Sequence, residues 1–172
     1  MHLLALSGSL RAASLNTMAL RSLQKLAPDG VEITLYEFIG ALPHFNTDVE
    51  MSALPEIVAD MRRQVAAADG VVIACPEYAH GIPGSFKNAL DWLVGMPDFP
   101  GKPVMLINTS PRATHAQAAL REVLATMSAR LVPEADVAIE LRDRTADELG
   151  IVEALRVGLR VFMQTCANPR AI

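Results

Sequence analysis

Residues 71–93, VVIACPEYAHGIPGSFKNALDWL, restrict what this chain can fold into more than any other stretch. Val71, Val72 and Ile73 are apolar, β-branched and side by side, which is the pattern of a strand covered on both faces, as in a parallel sheet. Pro76 lacks an N–H and ends that strand, and Pro83-Gly84 turns the chain into an amphipathic run that reaches Trp92. The unit reads as strand, loop, helix. In open α/β sheets such a strand delivers its loop to the carboxyl edge, where ligands bind. Between the prolines the loop is short and stiff, and the backbone of Glu77, Tyr78 and Ala79 offers N–H and C=O groups to a planar ring. Taken alone, an ordinary βα connection that touches no ligand is the competing reading.

The same alternation runs along the chain. Residues 3–6 predict a first strand and 14–26 a helix. Residues 31–38 alternate Val31, Ile33 and Leu35 with Glu32, Thr34 and Glu37, the pattern of an edge strand with one partly exposed face. Residues 40–51 predict a longer loop holding Pro43, His44, Phe45 and Asn46, and 54–68 a helix with Ile57, Met61 and Val65 on one stripe. After a Gly/Pro-rich loop, 104–107 predict a fourth strand and 116–129 a helix. A fifth strand over 131–139 is interrupted by Pro133, Glu134 and Asp136, and 147–165 predict the last helix. The expectation is a doubly wound, three-layer α/β sandwich, one domain over 1–172, with five parallel strands ordered 2-1-3-4-5. That order makes strands one and three flank the switch point, so loops 7–16 and 76–83 face each other across a crevice.

The first loop, SGSLRAASLN, joins a strand to a helix N-terminus. From Met1 to Pro28 there is no Asp or Glu, while Arg11, Arg21 and Lys25 are present. Unpaired helix N–H groups, the hydroxyls of Ser7, Ser9 and Ser14, Asn16 and one guanidinium make a cradle for a phosphate monoester. Neither GxxxxGK[ST] nor GxGxxG occurs, so a mononucleotide phosphate suits the loop better than a P-loop or dinucleotide fingerprint would. Helix capping by Ser14 or Asn16 is the plainer alternative.

Composition excludes other classes. With 51% apolar and 20% charged residues the chain is globular, and a net charge of −4 disfavours nucleic acid as a partner. No apolar run approaches the ~20 residues that cross a bilayer, and the start lacks a signal-peptide pattern, so a cytoplasmic protein is expected with no membrane partner. Cys75 and Cys166 form no CxxC pair and read as buried thiols, with a redox role open for Cys75 at the strand end. His44 has no second ligand at useful spacing, and no metal site is expected.

GSLRAASLN paired with PEYAHGIPGSFKNALDW resembles the NADPH-dependent FMN reductases of flavodoxin-like fold, relatives of quinone, azo and chromate reductases. The resemblance implies FMN held non-covalently, its phosphate by Ser9, Arg11, Ser14 and Asn16 and its ring by Pro76, Glu77, Tyr78 and Ala79. Ser110 matches the third loop, which borders the ring in that family. Two positions depart from the pattern: Ala79 stands where PEYN has Asn, and SPRATHAQ replaces a glycine-rich loop. Arg112 and His115 have three open roles: meeting the ring, meeting a nicotinamide nucleotide's phosphate, or capping the next helix. The implied reaction passes a hydride from NADPH or NADH through FMN to a flavin, quinone or similar small acceptor. The chemistry is the flavin's, so no catalytic side chain is required, although His80 could give a proton to a quinone. Arg11→Ala is expected to weaken FMN binding more than a surface change such as Arg142→Ala.

A homo-oligomer is implied too, with Trp92 either an interface anchor or a core residue, and Lys87 and Asp91 pairing at i,i+4. The methionines, among them Met18, Met61 and Met105, read as core or loop filler. A flavodoxin-like electron carrier and a non-enzymatic flavin-binding sensor are the alternatives. A phosphoacceptor domain needs acids at the ends of strands one and three, where Ser7 and Cys75 stand.

Overall fold

In the computed structural model, which describes residues 1–141 and 148–168, strands and helices alternate. The elements are β1 (His2–Ser7), α1 (Leu15–Lys25), β2 (Glu32–Tyr36), α2 (Thr47–Ser52), α3 (Glu56–Ala67), β3 (Gly70–Ala74), α4 (Gly84–Val94), β4 (Pro103–Asn108), α5 (Thr114–Thr126), β5 (Arg130–Leu131), β6 (Val137–Ala138) and α6 (Glu148–Ala167). The sheet is parallel and ordered β2-β1-β3-β4-β5, with β6 also paired to β4. Every residue of β3 is buried, as its unbroken apolar run requires.

Register decides where the loops emerge. Ser7 pairs with Ala74, and Ala74 with Ile107, so the chain leaves β1, β3 and β4 at one level of one edge. Alternate side chains divide between two apolar layers. Leu4, Leu6, Val71, Ile73, Val104 and Leu106 pack against α3, α4 and α5. Leu3, Ala5, Val72, Ala74, Met105 and Ile107 pack against α1 and α6. Both faces are covered, as a parallel sheet demands.

Several expectations need correction. The fifth strand is two short pieces, β5 and β6, separated by a 3-10 turn at Pro133–Ala135. Asp136 explains how the ladder survives the gap: its Oδ1 accepts the Leu106 N–H at 2.7 Å, while Arg121 holds its Oδ2 at 2.6 Å. The loop of 40–51 contains a short helix, α2, whose Asn46 cap accepts the Asp48 N–H at 2.8 Å. Trp92 is a core residue: its side chain is wholly buried, its Nε1–H donates to the Pro43 carbonyl at 2.7 Å, and Phe45 meets it edge to face. Met18 is exposed on α1 and Cys166 is only half-buried. Lys87 and Asp91 form the expected i,i+4 pair on α4. Asp147, the expected start of the last helix, and Arg142 lie outside the described residues.

Candidate functional site

Three loops meet at the carboxyl edge of β1, β3 and β4. The first is held close to the second because Gly8 N–H donates to the Ala74 carbonyl at 2.8 Å, prolonging the ladder. A Cβ on Gly8 would sit 2.9 Å from Cys75 Sγ and 3.0 Å from Pro76 Cδ, so only glycine permits this approach. Ser14 caps α1, its Oγ accepting the Thr17 N–H at 3.2 Å. Asn16 Oδ1 accepts the Thr109 hydroxyl at 3.1 Å, both residues being buried, which ties the start of α1 to the loop after β4. Asn16 therefore has its amide NH2 left for a ligand.

The second loop is a tight turn. Tyr78 and Gly81 exchange both backbone hydrogen bonds, at 3.1 and 3.0 Å, around Ala79 (φ 48°) and His80 (φ 59°). Two successive positive φ values match a type I′ turn, a geometry that favours Asn and Gly. Across the crevice, Tyr78 OH lies 3.4 Å from Ser9 Oγ. Glu77 is tied to α5, its Oε2 accepting the Ala116 N–H at 2.9 Å. Beside that bond the His80 and His115 rings stack, centroids 4.4 Å apart and planes 15° from parallel.

Between the loops lies a crevice of about 260 Å³. Ser9, Arg11, Ser14 and Asn16 line it from the first loop, Pro76, Glu77 and Tyr78 from the second, and Ser110 and Arg112 from the third. Ala79 and His80 do not line it, because the turn that follows Tyr78 carries them to the exposed rim. Sequence reasoning missed the Glu77 carboxylate as a link to α5, and gave Asn108 and Thr109 no role although both line the crevice. Their position directly after the apolar run of β4 was the available signal. His115 stacks on His80, and Arg112 lies 3.6 Å from Glu140 at the crevice wall.

The donor set fits a phosphate-bearing ligand such as FMN. The first loop contributes hydroxyls, an amide and a guanidinium but no carboxylate, and the one carboxylate in the lining, Glu77, is already engaged by Ala116. Burial pushes the Cys75 thiol up to about 12, so it stays protonated and is no nucleophile near neutrality. Among the described residues, no three His, Cys, Asp or Glu side chains could hold a metal ion together.

A parallel 2-1-3-4-5 sheet with its crevice between the first and third strand loops defines a flavodoxin-like mononucleotide-binding protein. Flavodoxin 1 of Bacillus cereus superposes with a TM-score of 0.64 at 16% identity, covering 95% of this chain and 97% of that one, a likeness of fold. FerB, a flavoenzyme NAD(P)H:(acceptor) oxidoreductase from Paracoccus denitrificans, superposes with a TM-score of 0.84 at 29% identity and 97% coverage of both chains. In sequence the chain is 39% identical over 139 residues to a quinone reductase of Escherichia coli (strain K12), covering 77% of this chain and 73% of that protein. It is 35% identical over 168 residues to a 2-hydroxy-1,4-benzoquinone reductase of a Burkholderia species, covering 93% and 91%. Residues 1–143 match the model of the NADPH-dependent FMN reductases, and the chain belongs to that family.

Proposed function

We propose that this FMN reductase holds FMN in the 260 Å³ crevice and passes reducing equivalents from NAD(P)H to a quinone-type acceptor. The observation that supports the placement is the joining, in one crevice, of an acid-free hydroxyl and guanidinium loop with Pro76, Glu77 and Tyr78 of the loop after β3. Ser9, Ser14, Asn16 and Arg11 bind the phosphate, the helix start of α1 adding its positive end. Pro76, Glu77 and Tyr78 lie along the ring, Ala79 follows at the rim, and Ser110 and Arg112 face it from the third loop. Bound flavin supplies the hydride-accepting and hydride-donating chemistry; the chain's own work is to orient the ring and leave one face open. His80 is placed at that rim, where a proton is delivered to a reduced acceptor. Two relatives named for quinones support the acceptor class.

The same reading takes 1–172 as one FMN-binding unit, cytoplasmic, in keeping with two unpaired thiols. No described helix is long and apolar enough to cross a membrane. It also takes the protein as a homo-oligomer, consistent with exposed Met51 and Val94 at the ends of α2 and α4; sedimentation velocity measures that.

The test is an absorption spectrum after FMN is added and the protein desalted, then anaerobic NADPH. Retained flavin bands that NADPH bleaches are expected, together with quinone-dependent NADPH oxidation. Arg11→Ala should weaken FMN binding by at least about tenfold, the loss of one charge-assisted phosphate contact, while Arg63→Ala on the exposed face of α3 should not. Equal affinities would remove the phosphate assignment, and flavin retention without NADPH oxidation would favour an electron carrier.

A further inference from the structure

The crevice is not the only cavity that the first loop borders. On its other side, towards β2, lies a space of about 370 Å³. Ser9 and Arg11 line both. A third space, about 310 Å³, borders both: Tyr78 lines it together with the crevice, and Leu10 and Arg11 line it together with the β2-side cavity. Its floor is the start of α4. There, in-helix bonding begins with the Phe86 and Lys87 N–H groups on the Pro83 carbonyl, and no acidic residue occupies the first turn. The amides of Gly84 and Ser85, which line this middle space, are thus the donors of that helix start.

The β2-side cavity has the chemistry of a nucleotide's far end. Arg21 and Glu37 form its polar wall, paired at 3.2 Å with side chains 60% and 63% exposed. So exposed a pair is screened by water and held weakly, and a dianionic phosphate can take over the guanidinium at little cost. Tyr36 and Ile39 make an apolar floor, and Leu10, 58% exposed, adds apolar surface to the lining against which a base can pack. Glu37 follows directly on β2. In dinucleotide-binding sheets a carboxylate at the end of the second strand accepts the ribose 2′-hydroxyl, and a nearby arginine accommodates a 2′-phosphate.

We propose that NADPH lies along this track, its nicotinamide over the crevice at Tyr78, its pyrophosphate at the start of α4, and its adenosine 2′-phosphate on Arg21. This rests on the reading of the crevice as the FMN site. Arg21 is then the residue that favours NADPH, and Glu37 the one that keeps NADH usable. The partition is physical: a carboxylate beside a 2′-phosphate is repulsive, whereas the same carboxylate bonds a free hydroxyl.

The experiment is calorimetric titration of the FMN-loaded protein with 2′,5′-ADP and with 5′-AMP, repeated on Arg21→Ala and Glu37→Gln. In the unaltered protein 2′,5′-ADP should bind about tenfold more tightly than 5′-AMP without releasing flavin. Arg21→Ala should abolish that difference and leave FMN retention unchanged. Glu37→Gln should raise the ratio of kcat/KM for NADPH over NADH several-fold. Release of FMN by 2′,5′-ADP would place the probe in the first crevice and overturn the proposal, as would unchanged discrimination in Arg21→Ala. If the protein retains no FMN, the functional reading fails separately, and the same titration on flavin-free protein still decides whether Arg21 holds the 2′-phosphate.

Discussion

Glu77 Oε2 accepts a hydrogen bond from the Ala116 N–H at 2.9 Å, joining the loop after β3 to the third residue of α5. The residue at the cap position of that helix is Ala113, whose side chain bonds nothing, and no acid stands in the first turn. A carboxylate from another loop therefore does the work that a local Asp or Ser performs elsewhere, and also meets the positive end of the helix dipole. Glu77→Ala should destabilise the fold by about 1–2 kcal/mol in urea unfolding, with Glu77→Gln recovering part of the loss. FMN affinity should fall in Glu77→Ala as well, because the freed loop is the one that lies along the ring. An unchanged urea midpoint would show that the bond contributes nothing.

Ala79 and His80 occupy the two left-handed positions of the turn that Tyr78 and Gly81 close. An L-residue with a Cβ pays about 1–2 kcal/mol there, and Asn pays less because its short amide bonds locally. Ala79→Asn should accordingly stabilise the protein by about 0.5–1 kcal/mol, read as a higher thermal midpoint. A lower midpoint would mean that the turn is not strained at Ala79.

The sheet was legible in the sequence because its signal is local: β3 and β4 are unbroken apolar runs, and the β2 alternation marks an edge. Less was legible where one residue replaces a regular pattern. Asp136 substitutes a carboxylate for a ladder acceptor of Leu106, so the interrupted fifth strand cannot be resolved into two pieces from composition. Asn46 starts α2 inside a segment whose proline and glycine, Pro43 and Gly40, suggest only a loop. At the site, the crevice residues of the first loop follow from residue type and proximity to a helix start. The Glu77–Ala116 bond and the His80–His115 stack span 39 and 35 positions, and no periodicity records such partners.

Gly158 on α6 shows where an ordinary propensity argument reverses. In an exposed helix Gly→Ala gains about 1 kcal/mol. Here a Cβ would stand 2.5 Å from Val137 Cγ2 and 2.7 Å from the Ala135 carbonyl oxygen, so α6 lies against β6 and its preceding turn only because the side chain is missing. Backbone cannot yield as a flexible side chain can. Gly158→Ala should cost about 1–3 kcal/mol by overpacking, seen as a lower urea midpoint. Stabilisation instead would mean that α6 can shift away from the sheet without loss.

Burial raises the Cys75 thiol from its ordinary value of 9.0 to about 12, and desolvation followed by the nearby Asp69 charge raises Cys166 from 9.0 to about 11. Tyr36 is also raised from 10.0, by burial first and by Asp60 second. All three are neutral acids whose native state holds the proton more tightly than the unfolded chain does. The linked stability is therefore fully present below pH 9 and is lost as pH rises towards 12, since the unfolded state ionises first. Unfolding free energy measured from pH 7 to 11 should be level up to about 9 and then decline. Cys75→Ala together with Cys166→Ala should flatten the decline, leaving the Tyr36 part set against Lys102, whose ammonium burial holds below its ordinary value and which therefore favours the fold as pH rises. At pH 8 a disulfide reagent should react slowly with both thiols in the folded protein and rapidly after unfolding, because reaction needs the thiolate and access. Rapid titration of Cys75 in the native state would show that its side chain is neither buried nor held protonated, and that the first and second loops are not packed as Gly8 requires.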